Sequence, residues 1–267
     1  VAATDAVLPD LAAEGDELDL LVSGIEPDRW QTMTPSPGWT IAHQIGHLAA
    51  SDRFTALAVT DPEAFAVRLN GMAGDLNEVN DAIAADAAVL PPEDILIEWR
   101  AARAEALAAL SSVPVADRVQ WIVTAMSPAS LASTRLMELV GHGQDIRDAL
   151  GVTWVPTDRI LHVARLGART RNFAYRIRGL EPPPQDFRIE LVAPSGELWE
   201  FGPPSAPQRV TGPAADFCLL ITRRRHHADL DLRAVGDDAQ QWLELAQAYA
   251  GPPSPGREPG QFGAGGR

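Results

Sequence analysis

The chain has 267 residues, 46% of them hydrophobic, with 36 acidic against 22 basic residues and a formal charge of −14. That charge repels phosphate backbones and anionic membrane surfaces, which argues against a nucleic-acid or membrane partner. Every basic residue is arginine, so lysine Schiff-base and lysine general-base chemistry are excluded, and with Cys218 as the one cysteine no intramolecular disulfide can form.

The length accommodates one large domain or two ordinary ones. Nothing in it reads as a signal peptide or as an apolar run able to span a bilayer, and the expected location is cytoplasmic. In chain order, Leu8, Leu11, Leu18, Leu21 and Val22 are spaced for a helix, which "EPDRWQTMTPSPGW" then breaks. A second helix is predicted from the Thr40 N-cap to about Val59, and residues 62–89 hold a further helical stretch. "PPEDILIEWRAARAEALAALSSV" is a helix opened by Pro91 and Pro92, and "MSPASLASTRLMELVGHGQDIRDAL" is another, opened by Pro128 and closed by Gly151. Residues 157–178 read as helical up to "EPPPQD", a proline-rich joint of the kind that separates domains.

Past the joint, "FRIELVA" and "ELWEFG" alternate around "PSG" as a β-hairpin. "GPAADFCLLITRRRHH" reads as a buried helix with a basic end, "ADLDLRAVG" as a strand and "DDAQQWLELAQAYAG" as an amphipathic helix. The last 17 residues, from Gly251, hold six glycines and four prolines and read as a disordered tail. The expected division is therefore a helical domain over 1–180, a small mixed domain over 185–250 and a tail over 251–267.

Two helices carry polar groups where apolar ones are expected. At roughly 100° per residue, His43 and His47 lie nearly opposite Ile41, Ile45, Leu48 and Ala56, and a sector near Gln44, Ser51 and Thr55 is left for water. On the later helix Glu138, His142 and Asp145 fall within about 60° of one another, on a face shared with Leu131 and Ala149. An ionised carboxylate buried there without a partner costs several kcal/mol, so a cation or a paired donor is expected. Glu-x-x-x-His with one histidine from a facing helix forms a three-ligand set that leaves a catalytic metal an open position, and His47 is the natural third ligand. The alternative for each histidine is an ordinary hydrogen-bonded core or surface residue.

"SPGWTIAHQIGHLAASD", followed about ninety residues later by "ELVGHGQDIRDALG", resembles the N-terminal domain of the mycothiol-dependent maleylpyruvate isomerase family, a branch of the DinB-like four-helix bundles. "FRIELVAPSGELWEFG" and "VTGPAADFCLLITRRR" resemble the smaller domain that accompanies it. The resemblance implies an α+β chain: an up-down four-helix bundle followed by a small mixed α/β domain. It implies a divalent metal, usually zinc, on His47, Glu138 and His142, with mycothiol or a similar low-molecular-weight thiol as cosubstrate. It also implies an arginine for the substrate, for which Arg224 is the nearest match and Arg223 and Arg225 are rival registers. His43, one turn before the expected ligand, departs from many members; a fourth ligand, a catalytic base and a packed histidine are its three readings. Asp145 is expected to orient a ligand histidine.

Three activities are compatible with this: thiol-dependent isomerisation or S-transfer on an electrophilic carboxylate substrate, hydrolase or lyase chemistry through metal-bound water with His43 as base, and non-catalytic metal or ligand binding. The protein is expected to act as a monomer or homodimer. Cys218, among Phe217, Leu219 and Leu220, reads as a small buried hydrophobe, the tryptophans as mostly core, and Gly46, Gly141 and Gly143 as points of close approach near the site.

Overall fold

The computed structural model describes residues 3–72 and 76–262, the side chains of residues 3–5 and of Leu76 excepted. It divides into two compact units, Val1–Val152 and Thr153–Arg267. The division falls well before the proline-rich joint expected to mark it, because the helices over 161–176 pack against the strands and helices of the C-terminal part of the chain.

The first unit contains α1 (Ala3–Ser23), a 3-10 turn (Pro27–Gln31), α2 (Ile41–Thr60), α3 (Pro62–Gly71), α4 (Leu76–Ala88), α5 (Pro92–Ser112) and α6 (Pro128–Leu150). Four long helices form its frame: α2 packs on α5 and α6, and α1 on α6 and α5, with the shorter α3 and α4 added against α2. Ile41, Ile45 and Leu48 of α2, Trp99 and Leu110 of α5, and Leu131, Leu136 and Ile146 of α6 are all buried. The predicted ends of α2, α5 and α6 are observed. Ser127 caps α6, its hydroxyl accepting from Ser130 N at 3.2 Å, and Pro128 occupies the first turn, where a missing N–H costs nothing. Gly151 ends the helix at φ 68°, a conformation open to glycine. Gly46 lets α4 approach α2, since a Cβ there would lie 2.4 Å from that of Ala87.

The segment between the 3-10 turn and α2 is a tight hairpin. Thr34 N donates to Trp39 O at 2.8 Å, Ile41 N to Thr32 O at 3.1 Å, and Gly38 takes φ 79° at the bend. This hairpin holds Trp39 immediately ahead of the Thr40 cap.

The second unit holds α7 (Leu161–Arg169), α8 (Arg171–Arg176), β1 (Phe187–Val192), β2 (Leu198–Phe201), β3 (Gln208–Pro213), α9 (Ala214–Ile221), β4 (Arg233–Val235) and α10 (Asp237–Leu245). Its sheet runs β2-β1-β3-β4, with β1 antiparallel to β2, parallel to β3, and β3 antiparallel to β4. The predicted hairpin is β1–β2, turning at Gly196 with φ 89°. Its core brings Phe187 and Phe217 against Trp242 at 5.7 and 5.8 Å between centroids. Gly167 of α7 meets Ile221 and Phe217 of α9 with no room for a Cβ, which ties α7 to this unit.

Two expectations are corrected here. The strand anticipated over "ADLDLRAVG" shrinks to Arg233–Val235: its pairing with β3 stops at Thr211, and just before it the Asp231 N–H is taken by the Asp216 carboxylate at 2.7 Å instead of by a strand. Residues 251–262 of the expected disordered tail are folded back. Arg223 donates to Ser254 O at 2.9 Å and Pro255 O at 2.7 Å, Gln247 Nε2 to Pro252 O at 3.2 Å, and the Arg225 guanidinium lies 3.9 Å from the Phe262 ring centroid. Arginine and glutamine donors satisfy carbonyls that a segment rich in proline and glycine cannot pair within itself. Residues 263–267 lie outside the described part.

Candidate metal centre

α2 contributes His47, and α6 contributes Glu138 and His142 one turn apart. His47 Nε2 lies 3.5 Å and His142 Nε2 3.1 Å from Glu138 Oε2, and the three candidate ligand atoms lie within 4.8 Å of one another. All three side chains are largely buried, at 12%, 17% and 12% exposed for His47, Glu138 and His142. Two imidazole nitrogens and one carboxylate oxygen are a zinc-type donor set, and ligands on a tetrahedral zinc stand about 3.3 Å apart, so the residues fit such an ion.

Glu138 is held ionised. Burial raises its carboxyl, yet hydrogen bonds from His142 and His47 and the charge of Arg135 hold it well below the usual carboxylate range. Its two oxygens are divided: Oε2 faces both histidines, while Oε1 lies 3.9 Å from Arg135 Nη2. Arg135 is 5% exposed, bonds Ser51 through Nη1 and lies 5.2 Å over the Trp121 ring.

Sequence periodicity does not reveal several neighbours of the centre. Trp39 covers the histidines, its ring stacked on His142 at 5.8 Å and tilted to His47 at 5.2 Å, with its indole N–H donated to Asp81 at 2.7 Å. Gln44, in the sector expected to face water, is 0% exposed: its Oε1 meets His142 Nδ1 at 2.5 Å and its Nε2 donates to Thr34 Oγ1 at 2.9 Å. The hairpin before α2 and the facing turn of α6 cover the sector that a lone helical wheel leaves open. The usable signal is that Gln44 stands three residues before His47, on the same side of α2.

His43 is placed apart from the triad. Its Nδ1 accepts Thr40 N–H at 3.3 Å and lies 2.8 Å from Thr40 Oγ1, so the ring closes the first turn of α2 as a capping-box glutamate would. Burial lowers its pKa, and the nearby Asp81 charge opposes this. Asp145 accepts from Ser36 of the hairpin at 2.9 Å; the group found on His142 Nδ1 is Gln44.

The arginines after α9 belong to the second unit. Arg223 closes the helix at φ 59° and is pinned to carbonyls of Glu244, Ser254 and Pro255. Arg224 Nη1 donates to Thr222 O at 2.6 Å, and the buried Arg225 donates to Arg224 O at 2.8 Å. Cys218 is fully buried. Among the described residues no helix is long and apolar enough to cross a membrane.

Over residues 11–147 the sequence matches the family described as "Mycothiol maleylpyruvate isomerase N-terminal domain". The chain belongs to this family. The chain is also similar to an uncharacterized protein of Mycobacterium tuberculosis, in strains CDC 1551 and H37Rv, being 48% identical over 248 residues, 93% of this chain and 96% of that one. The family fold is also seen in two crystal structures of mycothiol-dependent maleylpyruvate isomerase, one of them a histidine-to-alanine variant. They share 15% and 16% sequence identity with the chain, with a TM-score of 0.55 over 81% of this chain and 88% of each.

Proposed function

We propose that this family member is a metal-dependent, thiol-dependent isomerase or S-transferase acting on a small electrophilic substrate that bears a carboxylate. The observation that carries this reading is the convergence of His47 Nε2, Glu138 Oε2 and His142 Nε2 from two helices on one point. Membership of a family whose solved members are mycothiol-dependent supports mycothiol, or a similar small thiol, as cosubstrate.

His47, Glu138 and His142 would hold the ion, zinc by the donor set. Bound there, such an ion would supply Lewis acidity that lowers the pKa of a small thiol, so that the thiolate would prevail near neutral pH. The chain supplies no thiol of its own, since Cys218 is sealed in the core of the second unit. Glu138 contributes the one negative charge among the three ligands. Trp39 shields the histidine rings from water, which strengthens electrostatic interactions beneath it. The thiolate adds to an electron-poor alkene; rotation about the resulting single bond and expulsion of the thiolate give the isomer with the thiol regenerated, whereas protonation and release of the adduct amount to S-transfer. His43 stays a capping residue in this scheme, its Nδ1 being committed to Thr40.

Elemental analysis of purified protein beside Glu138→Ala, with a thiol-dependent isomerisation assay on cis-alkene carboxylates, tests the reading. About one equivalent of metal in the wild type, lost in the variant together with turnover, is expected. Full metal content in the variant removes Glu138 from the ligand set, and turnover without added thiol moves the protein to the hydrolase or lyase class.

A further inference from the structure

Thr34 lies beyond the triad, yet the hydrogen bonds that start from it determine which nitrogen of His142 carries the proton. The Trp39 carbonyl can only accept, and it takes the Thr34 hydroxyl at 2.8 Å as well as the Thr34 N–H at 2.8 Å. A threonine hydroxyl has one hydrogen, so toward Gln44 the same oxygen is an acceptor, and Gln44 Nε2 donates to it at 2.9 Å. The amide therefore turns Oε1 to His142 Nδ1, at 2.5 Å, and a carbonyl oxygen there requires an N–H on Nδ1. Without an ion, Nε2 is the nitrogen that donates to the ionised Glu138, at 3.1 Å, so it is the Nε2 hydrogen, and not the one on Nδ1, that an ion bound beside Glu138 would displace.

The opposite amide orientation is penalised at both ends. It would set the Gln44 oxygen against the threonine oxygen, so that either the hydroxyl gives up its bond to Trp39 O or a buried acceptor is left unpaired, at about 1 kcal/mol or more. Gln44 is 0% and Thr34 8% exposed, so water is poorly placed to compensate.

We propose that Thr34 is a positioning residue for the candidate centre, acting through Gln44 to keep a hydrogen on His142 Nδ1, so that Nε2 is the nitrogen whose lone pair is given to an ion beside Glu138. The use of that lone pair rests on the metal-centre reading, whereas the relay itself can be observed without a metal. Thr34→Val keeps the shape and removes the hydroxyl; Gln44 is then free to present its N–H groups to Nδ1, which favours the tautomer that cannot offer Nε2 to an ion.

The test is 15N NMR of histidine-labelled full-length protein, zinc-free and zinc-loaded, together with zinc affinity by chelator competition. Wild type is expected to show a slowly exchanging Nδ1–H from His142, assigned by its loss in His142→Gln. Thr34→Val should lose this signal and weaken zinc binding about tenfold, the lower end of the loss usual when the partner of a ligand histidine is removed. Thr34→Ser should restore both. If Thr34→Val does not fold, Gln44→Met, which keeps the side-chain length but lacks the acceptor, carries the same two expectations. Retention of the Nδ1–H and of wild-type affinity in Thr34→Val, or a Thr34→Ser protein as defective as the valine variant, overturns the proposal. A wild type that shows the Nδ1–H but binds no zinc defeats the metal-centre reading and leaves the relay standing.

Discussion

Replacing Asp52 by asparagine isolates a buried proton. Asp52 lies on α2 with 9% of its surface exposed, and burial pushes its carboxyl up to about 6 from 3.8, against the pull of Arg135 and Arg103. Between those values the folded chain keeps a proton that the unfolded chain has released. Stability contributed by this group therefore falls as pH rises from about 4 to about 6 and is level above that. A difference of about 2 pH units is worth about 3 kcal/mol. Asparagine does not titrate, so the stability of Asp52→Asn relative to wild type should improve by about 2 kcal/mol between pH 4 and pH 7, the rest of the change lying below pH 4. A constant offset, from exchanging a protonated carboxyl for an amide in the buried site, adds equally at every pH. Urea unfolding of both metal-free proteins from pH 4 to 7.5 measures the difference while cancelling the other titrating groups. A pH-independent difference would refute the raised carboxyl, and a difference that shifts toward wild type with rising pH would show Asp52 ionised and paired.

Other substitutions test the surroundings of the site and the second unit. Gly46→Val should lower stability by about 1–3 kcal/mol by chemical denaturation, since its Cβ would meet that of Ala87 and push α4 off α2. Trp39→Leu should retain the metal in elemental analysis but cut thiol-dependent turnover about tenfold, roughly 1.4 kcal/mol of barrier, by opening the histidine rings to water. Arg223→Gly relieves a left-handed backbone at φ 59° yet removes the guanidinium bonds to Glu244, Ser254 and Pro255; limited proteolysis should then cleave within residues 251–262, which stay protected in the wild type.

Much of the candidate site was legible because helical periodicity is local. Glu138 and His142 share a face whatever lies opposite, and a glutamate set into an apolar stripe announces a partner before the partner is known. The second helix is ambiguous for the same reason. His43 and His47 share a face, but a wheel cannot distinguish an imidazole that closes the first turn from one that reaches across to α6. The Thr40 N-cap, once the start of the helix is known, puts His43 at the third position, where a capping side chain belongs.

The sequence by itself determined where α2, α5 and α6 begin and end, which half holds the sheet, and that two histidines and a glutamate stand where apolar residues would otherwise pack. These features come from caps, prolines, glycines and periodicity, whose energetics act within a few residues. Only the tertiary structure decided that Gln44 is sealed against His142, that Trp39 roofs the rings, that α7 and α8 join the sheet, and that residues 251–262 fold back on Arg223. Each depends on a donor or surface supplied by chain remote in sequence, and a polar side chain becomes water-facing or buried only when that other segment arrives.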